Sequence, residues 1–349
     1  MRDDDRMLDL PDPEFGSGVI GVCDVCGERQ AVIVLSKERF KLCVLDFLNK
    51  TWIASEKAPG APAPLYRSER VWFESKIPST GKAPAIALSP TKVVRRASVL
   101  VTPDVYGLTT TLLDAAIRFA REGFEVLLPD LAKTDGIGAS HHVTLRSGAQ
   151  FRGGVAADSR RVTELVELYS DALEHLRGRD MVDPAKSALF GASYGGSLAL
   201  ALAARAPRIA AVALAYPMPV RPPDLAKLVT APVLCVTGSA DRASGRARAQ
   251  LEAVRGSTTA PISFFDVPGG RHHFLARELG AYDLGQAERA WSAIVGFLKG
   301  LLMPPPPRPP AVPLKPASAV LPPTPPAARP SAAPPPPRAR PTGGAPAPA

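Results

Sequence analysis

Residues 186–204 of the chain read Lys-Ser-Ala-Leu-Phe-Gly-Ala-Ser-Tyr-Gly-Gly-Ser-Leu-Ala-Leu-Ala-Leu-Ala-Ala. The apolar run that ends at Phe190 predicts a buried strand, and the small and apolar residues from 197 to 204 predict a helix. Between them lies a G-x-S-x-G pattern, which is typical of a sharp strand-to-helix turn. Such a turn strains the serine backbone and requires neighbours two positions away that lack a Cβ. We therefore predict that Ser193 presents its hydroxyl at the carboxyl edge of a sheet, with the N–H of Tyr194 pointing to the same place.

The composition of the 349-residue chain distinguishes its centre from its two ends. A hydrophobic content of 46% is enough for a sizeable core, but 39 prolines are too many for one compact domain, and about half of them follow Met303. We predict five segments: disordered residues 1–17, a ribbon over 18–54, a linker over 55–68, an α/β domain over 69–302, and a disordered proline-rich tail over 303–349.

Five of the nine net positive charges come from the tail, which holds five cations and no acidic residue. The basic character is therefore weak evidence for binding of nucleic acid, which we do not expect. The first residues lack the apolar core of a secretory signal, and no run reaches the roughly 18 apolar residues of a membrane span. We expect a cytoplasmic protein without a membrane partner.

Strand and helix patterns alternate through the predicted domain, which favours a mainly parallel sheet with helices on both faces. Residues 132–157 show no periodicity and predict a long loop at the carboxyl edge of that sheet, where such folds bind ligands. Arg146 and Arg152 lie in this loop and are candidates for binding a substrate carboxylate. The alternative for each of them is an ordinary solvated charge.

Two further polar residues follow predicted strands. Asp241 comes 48 residues after Ser193, and His272 comes 31 residues after Asp241. A hydroxyl becomes a good nucleophile when a base takes its proton, and the base needs an acid that fixes its tautomer. The order serine, acid, histidine, each after a strand, is typical of α/β-hydrolases.

In these and neighbouring motifs the chain resembles the dienelactone hydrolase family of α/β-hydrolases. The resemblance covers roughly residues 70–300 and rests on Pro-Asp-Val-Tyr-Gly-Leu at 103–108, Glu-Gly-Phe-Glu-Val-Leu-Leu-Pro-Asp-Leu at 122–131, Gly-Ala-Ser-Tyr-Gly-Gly at 191–196, Gly-Ser-Ala-Asp at 238–241, and Pro-Gly-Gly-Arg-His-His-Phe at 268–274.

The family pattern implies that His272, rather than His273, is the base. It implies that Val105 supplies a second oxyanion N–H beside Tyr194. It also implies that Asp104 occupies a place where members often carry an acidic residue near the nucleophile, which makes Asp104 a candidate for binding the substrate. Members that cleave dienelactone typically have Cys where this chain has Ser193.

The ribbon segment contains a different pattern. Cys23, Cys26, Cys43 and Asp46 follow the spacing C-x2-C-x16-C-x2-D, which copies a zinc ribbon with Asp in the fourth place. Zinc accepts carboxylate oxygen, and a segment this short buries too little apolar surface to hold itself together. The two alternatives are one structural zinc ion and a metal-free hairpin.

These patterns lead to one main hypothesis, a serine hydrolase that cleaves a small ester or lactone without an organic cofactor. A rival hypothesis is a non-catalytic scaffold, whose ribbon and proline-rich tail recruit a protein partner. Acyl transfer is a third, since it uses the same side chains and differs only in the acceptor.

Overall fold

The computed structural model describes residues 65–77, 80–92, 95–104, 109–129, 159–276 and 281–303, together with the backbone of five short strands nearer the amino terminus. By contacts the chain divides into two compact units, Met1–Pro305 and Pro306–Ala349. The second unit lies outside the described residues, and so does the predicted tail beyond residue 303.

The five short strands pair antiparallel in two small groups. They are β1 (Pro13–Phe15), β2 (Gly21–Val22), β3 (Gln30–Ala31), β4 (Ile33–Leu35) and β5 (Phe40–Leu42). β4 pairs with β1 and β5, and β2 pairs with β3. The cysteines of the predicted ribbon lie outside the described residues.

The main sheet has eight strands in the order β13-β12-β11-β10-β8-β9-β7-β6. Their bounds are β6 Tyr66–Glu74, β7 Lys82–Pro90, β8 Arg96–Thr102, β9 Glu125–Pro129, β10 Val182–Ala192, β11 Ala211–Ala215, β12 Val233–Gly238 and β13 Ile262–Val267. β7 runs antiparallel to both of its neighbours, and the other pairs are parallel. The carboxyl ends of β8, β10, β11, β12 and β13 therefore meet at one edge of the sheet.

Helices cover both faces of this sheet. They are α1 (Thr110–Arg121), α2 (Ser159–Arg177), α3 (Tyr194–Arg205), α4 (Arg242–Val254) and α5 (Leu284–Leu302), with a 3-10 helix at Pro223–Leu228. Apolar residues of α1 and α5 pack with one face of the sheet, and those of α2, α3 and α4 pack with the other. Successive side chains of strand β10 point to opposite faces of the sheet. Ala188 and Phe190 pack in the core with α1 and α5, and Leu189 packs in the core with α2, α3 and α4.

This architecture confirms the predicted α/β-hydrolase fold. One boundary differs from the prediction: the sheet begins at Tyr66, so the last residues of the predicted linker 55–68 form the start of β6. Tyr66 is placed there by pairing with Pro90, at the far end of β7. β6 is an edge strand with partly exposed residues on both sides. The sequence of its first residues therefore shows no clear alternation of apolar and polar side chains.

Candidate active site

Ser193 stands in a strained turn between β10 and α3, with φ of 52°. Its main-chain atoms hold the turn in place, because its N–H donates to the Ala215 carbonyl at 2.9 Å and its carbonyl accepts from the N–H of Met218 at 3.0 Å. A Cβ at Gly191 would lie 2.2 Å from the Gly195 carbonyl oxygen. The sequence therefore needs glycine on the strand side of the serine so that the chain can turn back on itself.

The second glycine of the motif meets a different segment. A Cβ at Gly195 would lie 2.4 Å from the carbonyl oxygen of Pro103, just beyond the end of β8. The buried hydroxyl of Thr102 also contacts this region: it lies 2.7 Å from the Gly195 carbonyl oxygen and 3.1 Å from that of Phe190. These contacts pack the end of β8 against the first turn of α3. Tyr194 is the first residue of α3, so its N–H lies at the helix N-terminus, where the backbone N–H groups point out of the helix.

The turns that follow β12 and β13 are packed together in a similar way. A Cβ at Gly238 would lie 2.2 Å from the Gly270 carbonyl oxygen, and that oxygen accepts from the N–H of Ala240 at 3.0 Å. The hydroxyl of Ser239 accepts from the N–H of Gly269 at 2.8 Å. The two turns thus bring Asp241 and His272 to the same place.

The side chains of Ser193, His272 and Asp241 form one hydrogen-bonded line. Ser193 Oγ lies 3.0 Å from His272 Nε2, and His272 Nδ1 lies 2.6 Å from Asp241 Oδ2. An ionised carboxylate can only accept, so the proton between His272 and Asp241 belongs on Nδ1. Nε2 then carries the lone pair that faces the serine hydroxyl. The Asp241 side chain is 2% exposed, whereas that of His272 is 24% exposed.

Asp241 stays ionised despite its burial. It is the N-cap of α4, and its Oδ1 accepts from the N–H groups of Ala243 and Ser244 at 2.9 and 3.2 Å. Burial is the largest single influence on the pKa of Asp241 and raises it, but the hydrogen bonds from His272 and Ser244 and the attraction of His272 together outweigh it. The resulting pKa is about 2. The helix N-terminus favours the same charged form.

A second imidazole and a second carboxylate lie beside this line. His273 and Asp104 are both buried, and His273 Nδ1 lies 3.6 Å from Asp104 Oδ2. The ring centroid of His273 lies 4.2 Å from that of His272, and the buried Tyr216 packs against both rings at 5.5 and 5.3 Å. Sequence reasoning placed Asp104 near the nucleophile but assigned nothing to His273 or Tyr216.

Thr102 and Tyr216 are two residues beside the site to which sequence reasoning gave no role. Each is the last residue of a parallel strand or directly follows one: Thr102 ends β8 and Tyr216 follows β11. That position, at the edge where the hydroxyl of Ser193 emerges, is the signal that could have found them.

Other predicted site residues lie outside the described part of the chain. These are Val105, Arg146, Arg152, Cys23, Cys26, Cys43 and Asp46. Within the ranges that are described, no group of three or more His, Cys, Asp or Glu side chains could hold a metal ion. None of the helices described is long and apolar enough to cross a membrane.

The chain is similar to known proteins in both sequence and structure. A curated carboxymethylenebutenolidase from Rhodococcus opacus is 28% identical over 259 residues, which cover 70% of this chain and 96% of that protein. A solved structure of a putative dienelactone hydrolase from Klebsiella pneumoniae subsp. pneumoniae MGH 78578 is similar with a TM-score of 0.53 and 21% identity, over 66% of this chain and 98% of the other.

A dienelactone hydrolase-like promiscuous phosphotriesterase from metagenomic libraries matches with a TM-score of 0.55 and 20% identity, over 67% and 98% of the two chains. At identities of 21% and 20%, the likeness to these two structures supports the fold alone. The model of the family described as "Dienelactone hydrolase family" matches residues 83–302, which is more than half of the chain. The chain therefore belongs to the dienelactone hydrolase family and is a hydrolase of small substrates.

Proposed function

We propose that the protein cleaves a small carboxylic ester or lactone with Ser193 as nucleophile, His272 as general base and acid, and Asp241 as the orienting acid. The observation that carries this proposal is the line of two hydrogen bonds, 3.0 Å from Ser193 to His272 and 2.6 Å from His272 to Asp241. The similar protein from Rhodococcus opacus is by its name a butenolide-cleaving enzyme, and a butenolide is a lactone.

The reaction follows from the protonation states. Ser193 Oγ attacks the substrate carbonyl carbon while its proton moves to His272 Nε2. The imidazolium that forms is stabilised by the carboxylate of Asp241, which stays charged because its pKa is about 2. His272 then gives the proton to the leaving alkoxide, which departs as an alcohol, or remains tethered in the case of a lactone. Water activated by the same imidazole attacks the acyl-enzyme and releases the acid.

The negative charge that develops on the carbonyl oxygen needs donors that are already in place. We assign this role to the N–H of Tyr194, at the start of α3, and to that of Val105, which follows Asp104 in the sequence. Arg146 and Arg152 remain candidates for binding a carboxylate on the substrate.

A fluorophosphonate probe tests the nucleophile directly. We expect the wild-type protein to be labelled and the Ser193→Ala variant to lose the label, because the probe reacts with an activated serine hydroxyl. His272→Ala should also prevent labelling, whereas His273→Ala should retain it. A wild-type protein that neither labels nor hydrolyses esters would instead support the non-catalytic scaffold.

The amino-terminal ribbon is a separate part of the proposal. We infer that one structural zinc ion binds Cys23, Cys26, Cys43 and Asp46, with no part in the hydrolysis. Metal analysis of protein purified without chelator should give one zinc per chain, which Cys23→Ser and Cys43→Ser remove while esterase activity stays. Metal-free wild-type protein would contradict this inference.

A further inference from the structure

The backbone of His273 has a conformation that is unfavourable for residues with a Cβ. Its φ is 66°, in the left-handed region that glycine adopts without strain. The residue is nevertheless a histidine, and it is buried in the turn that also carries His272. An imidazole kept at such a position should contribute an interaction that glycine cannot make.

The interaction that the structure shows is with Asp104. Nδ1 of His273 lies 3.6 Å from Oδ2 of Asp104, and both side chains are largely withdrawn from water. A buried carboxylate needs a cation or hydrogen-bond donors close by, and an imidazole can provide either. The attraction between two such groups is stronger in a poorly solvated site than at the surface.

The contact joins two segments that are far apart in the chain. Asp104 follows β8 and immediately precedes Val105, to which we assign an oxyanion N–H. His273 directly follows the proposed base His272, and the two rings meet edge to face at 4.2 Å with an interplanar angle of 73°. Tyr216 packs against both imidazoles from the end of β11.

We propose that His273 is a positioning residue: its pairing with Asp104 holds the end of β8, which packs against the turn of Ser193, in place relative to the imidazole of His272. The proposal rests on the proposed function and assigns the pair no proton transfer. The proposed nucleophile and the proposed base must act at the same carbonyl, and the turns that carry them are then linked through one buried contact. Small displacements of such groups reduce turnover without abolishing binding.

Three variants test the side chain at constant backbone geometry. His273→Gly accepts a positive φ and removes the imidazole, and we expect kcat to fall about 10- to 100-fold while KM changes little. His273→Asn also tolerates this φ and supplies an amide donor to Asp104, so it should regain part of the lost kcat. The control is Met181→Gly, at an exposed residue with φ of 67° outside the site, which should keep the wild-type kcat.

A wild-type kcat in His273→Gly would overturn the proposal, as would a kcat in His273→Asn no higher than in the glycine variant. Melting temperatures of all three variants are measured alongside. A fall in kcat that is largest in His273→Gly, smaller in His273→Asn and absent in Met181→Gly, with similar melting temperatures, supports positioning rather than general loss of packing.

A double-mutant cycle then tests the pair itself. If His273 acts through Asp104, the variant with both His273→Gly and Asp104→Ala should be no more than a fewfold slower than the slower single variant. Losses in kcat that multiply would show independent roles and overturn the pairing. Should Ser193→Ala and His272→Ala keep wild-type turnover, the proposed function fails; should they lose it while His273→Gly stays fully active, only this inference fails.

Discussion

Glu125 and Asp241 are two buried carboxylates at opposite ends of the same parallel sheet. Glu125 begins β9 at the amino end and is 1% exposed, and it accepts from Arg96, Arg179 and Ser89 at 2.7, 2.8 and 2.7 Å. Asp241 follows β12 at the carboxyl end, and its strongest partner is the imidazole of His272 at 2.6 Å. The first carboxylate faces permanent cations, whereas the second faces a group that can gain and lose a proton.

Under the proposed function, one kind of buried charge serves stability at one end of the sheet and chemistry at the other. Guanidinium groups do not release protons under ordinary conditions, so the two cations beside Glu125 stay charged. The imidazole beside Asp241 is partly exposed and also touches a hydroxyl, so its charge can change during a reaction. Mutations at the two ends should therefore separate turnover from stability.

The largest effect should come from variants at the carboxyl end. Single losses of Ser193 or His272 should each lower kcat about 10⁶-fold, and Asp241→Asn about 10⁴-fold, because the three groups act as a unit. Ester hydrolysis under saturating substrate measures this, with circular dichroism to confirm folding. A double variant of Ser193 and His272 that is far slower than either single variant would contradict a common unit.

Glu125→Ala should lower the stability of the fold and leave kcat unchanged. It leaves two buried guanidinium groups without their shared carboxylate, and we expect a loss of about 3–5 kcal/mol in the free energy of unfolding. The kcat of the folded fraction should equal that of the wild type. Glu252→Ala is the control, since Glu252 is 47% exposed and pairs with Arg248, and its loss should stay below about 1 kcal/mol. Equal losses in the two variants would show that burial does not distinguish the pairs.

The pH dependence of unfolding should sharpen the comparison. The pKa of Asp241 is lowered to about 2 in the folded protein, against about 3.9 in an unfolded chain. A lowered pKa stabilises the fold above the unfolded value, and this contribution disappears as the pH falls through the folded value. The difference in unfolding free energy between wild type and Asp241→Asn should therefore shrink by about 2 kcal/mol between about pH 4 and pH 2. Chemical denaturation across that range measures it, and a constant difference would contradict the low pKa.

The smallest effect should come from removing the tail. Helix α5 ends at Leu302, and its buried residues include Trp291, Ile294 and Leu298 on the sheet. The tail contains mainly proline and alanine, which offer little to bury. Truncation after Met303 should leave kcat and melting temperature nearly unchanged, and a large fall in either would show that the tail packs on the domain.

The sequence predicts the fold well where local patterns coincide with tertiary structure. The strand, turn and helix around Ser193 follow from glycine spacing and apolar periodicity, both of which are local. The order of Asp241 and His272 after their strands is also visible in the sequence, although the 3.0 and 2.6 Å distances depend on how the turns after β10, β12 and β13 pack together. The catalytic roles of these residues stay a proposal.

Other contacts could not be predicted, because they depend on how distant segments pack. Asp104 and His273 lie 169 positions apart in the sequence, and no periodicity relates them. The hydroxyl of Thr102 reaches Gly195 only because β8 and β10 are neighbours in the sheet. Tyr66 joins β6 through register with Pro90, which an edge strand does not reveal in its own sequence.

The turn at Ser193 has a consequence for how chemistry can change in this family. Its strained φ is held by main-chain hydrogen bonds with Ala215, Met218 and Gly196. These bonds are indifferent to the atom attached to the serine Cβ. Under the proposed function, the same backbone would therefore carry either an oxygen or a sulfur nucleophile, and a single exchange of Ser193 for Cys would alter reactivity while the surrounding main-chain bonds stay as they are.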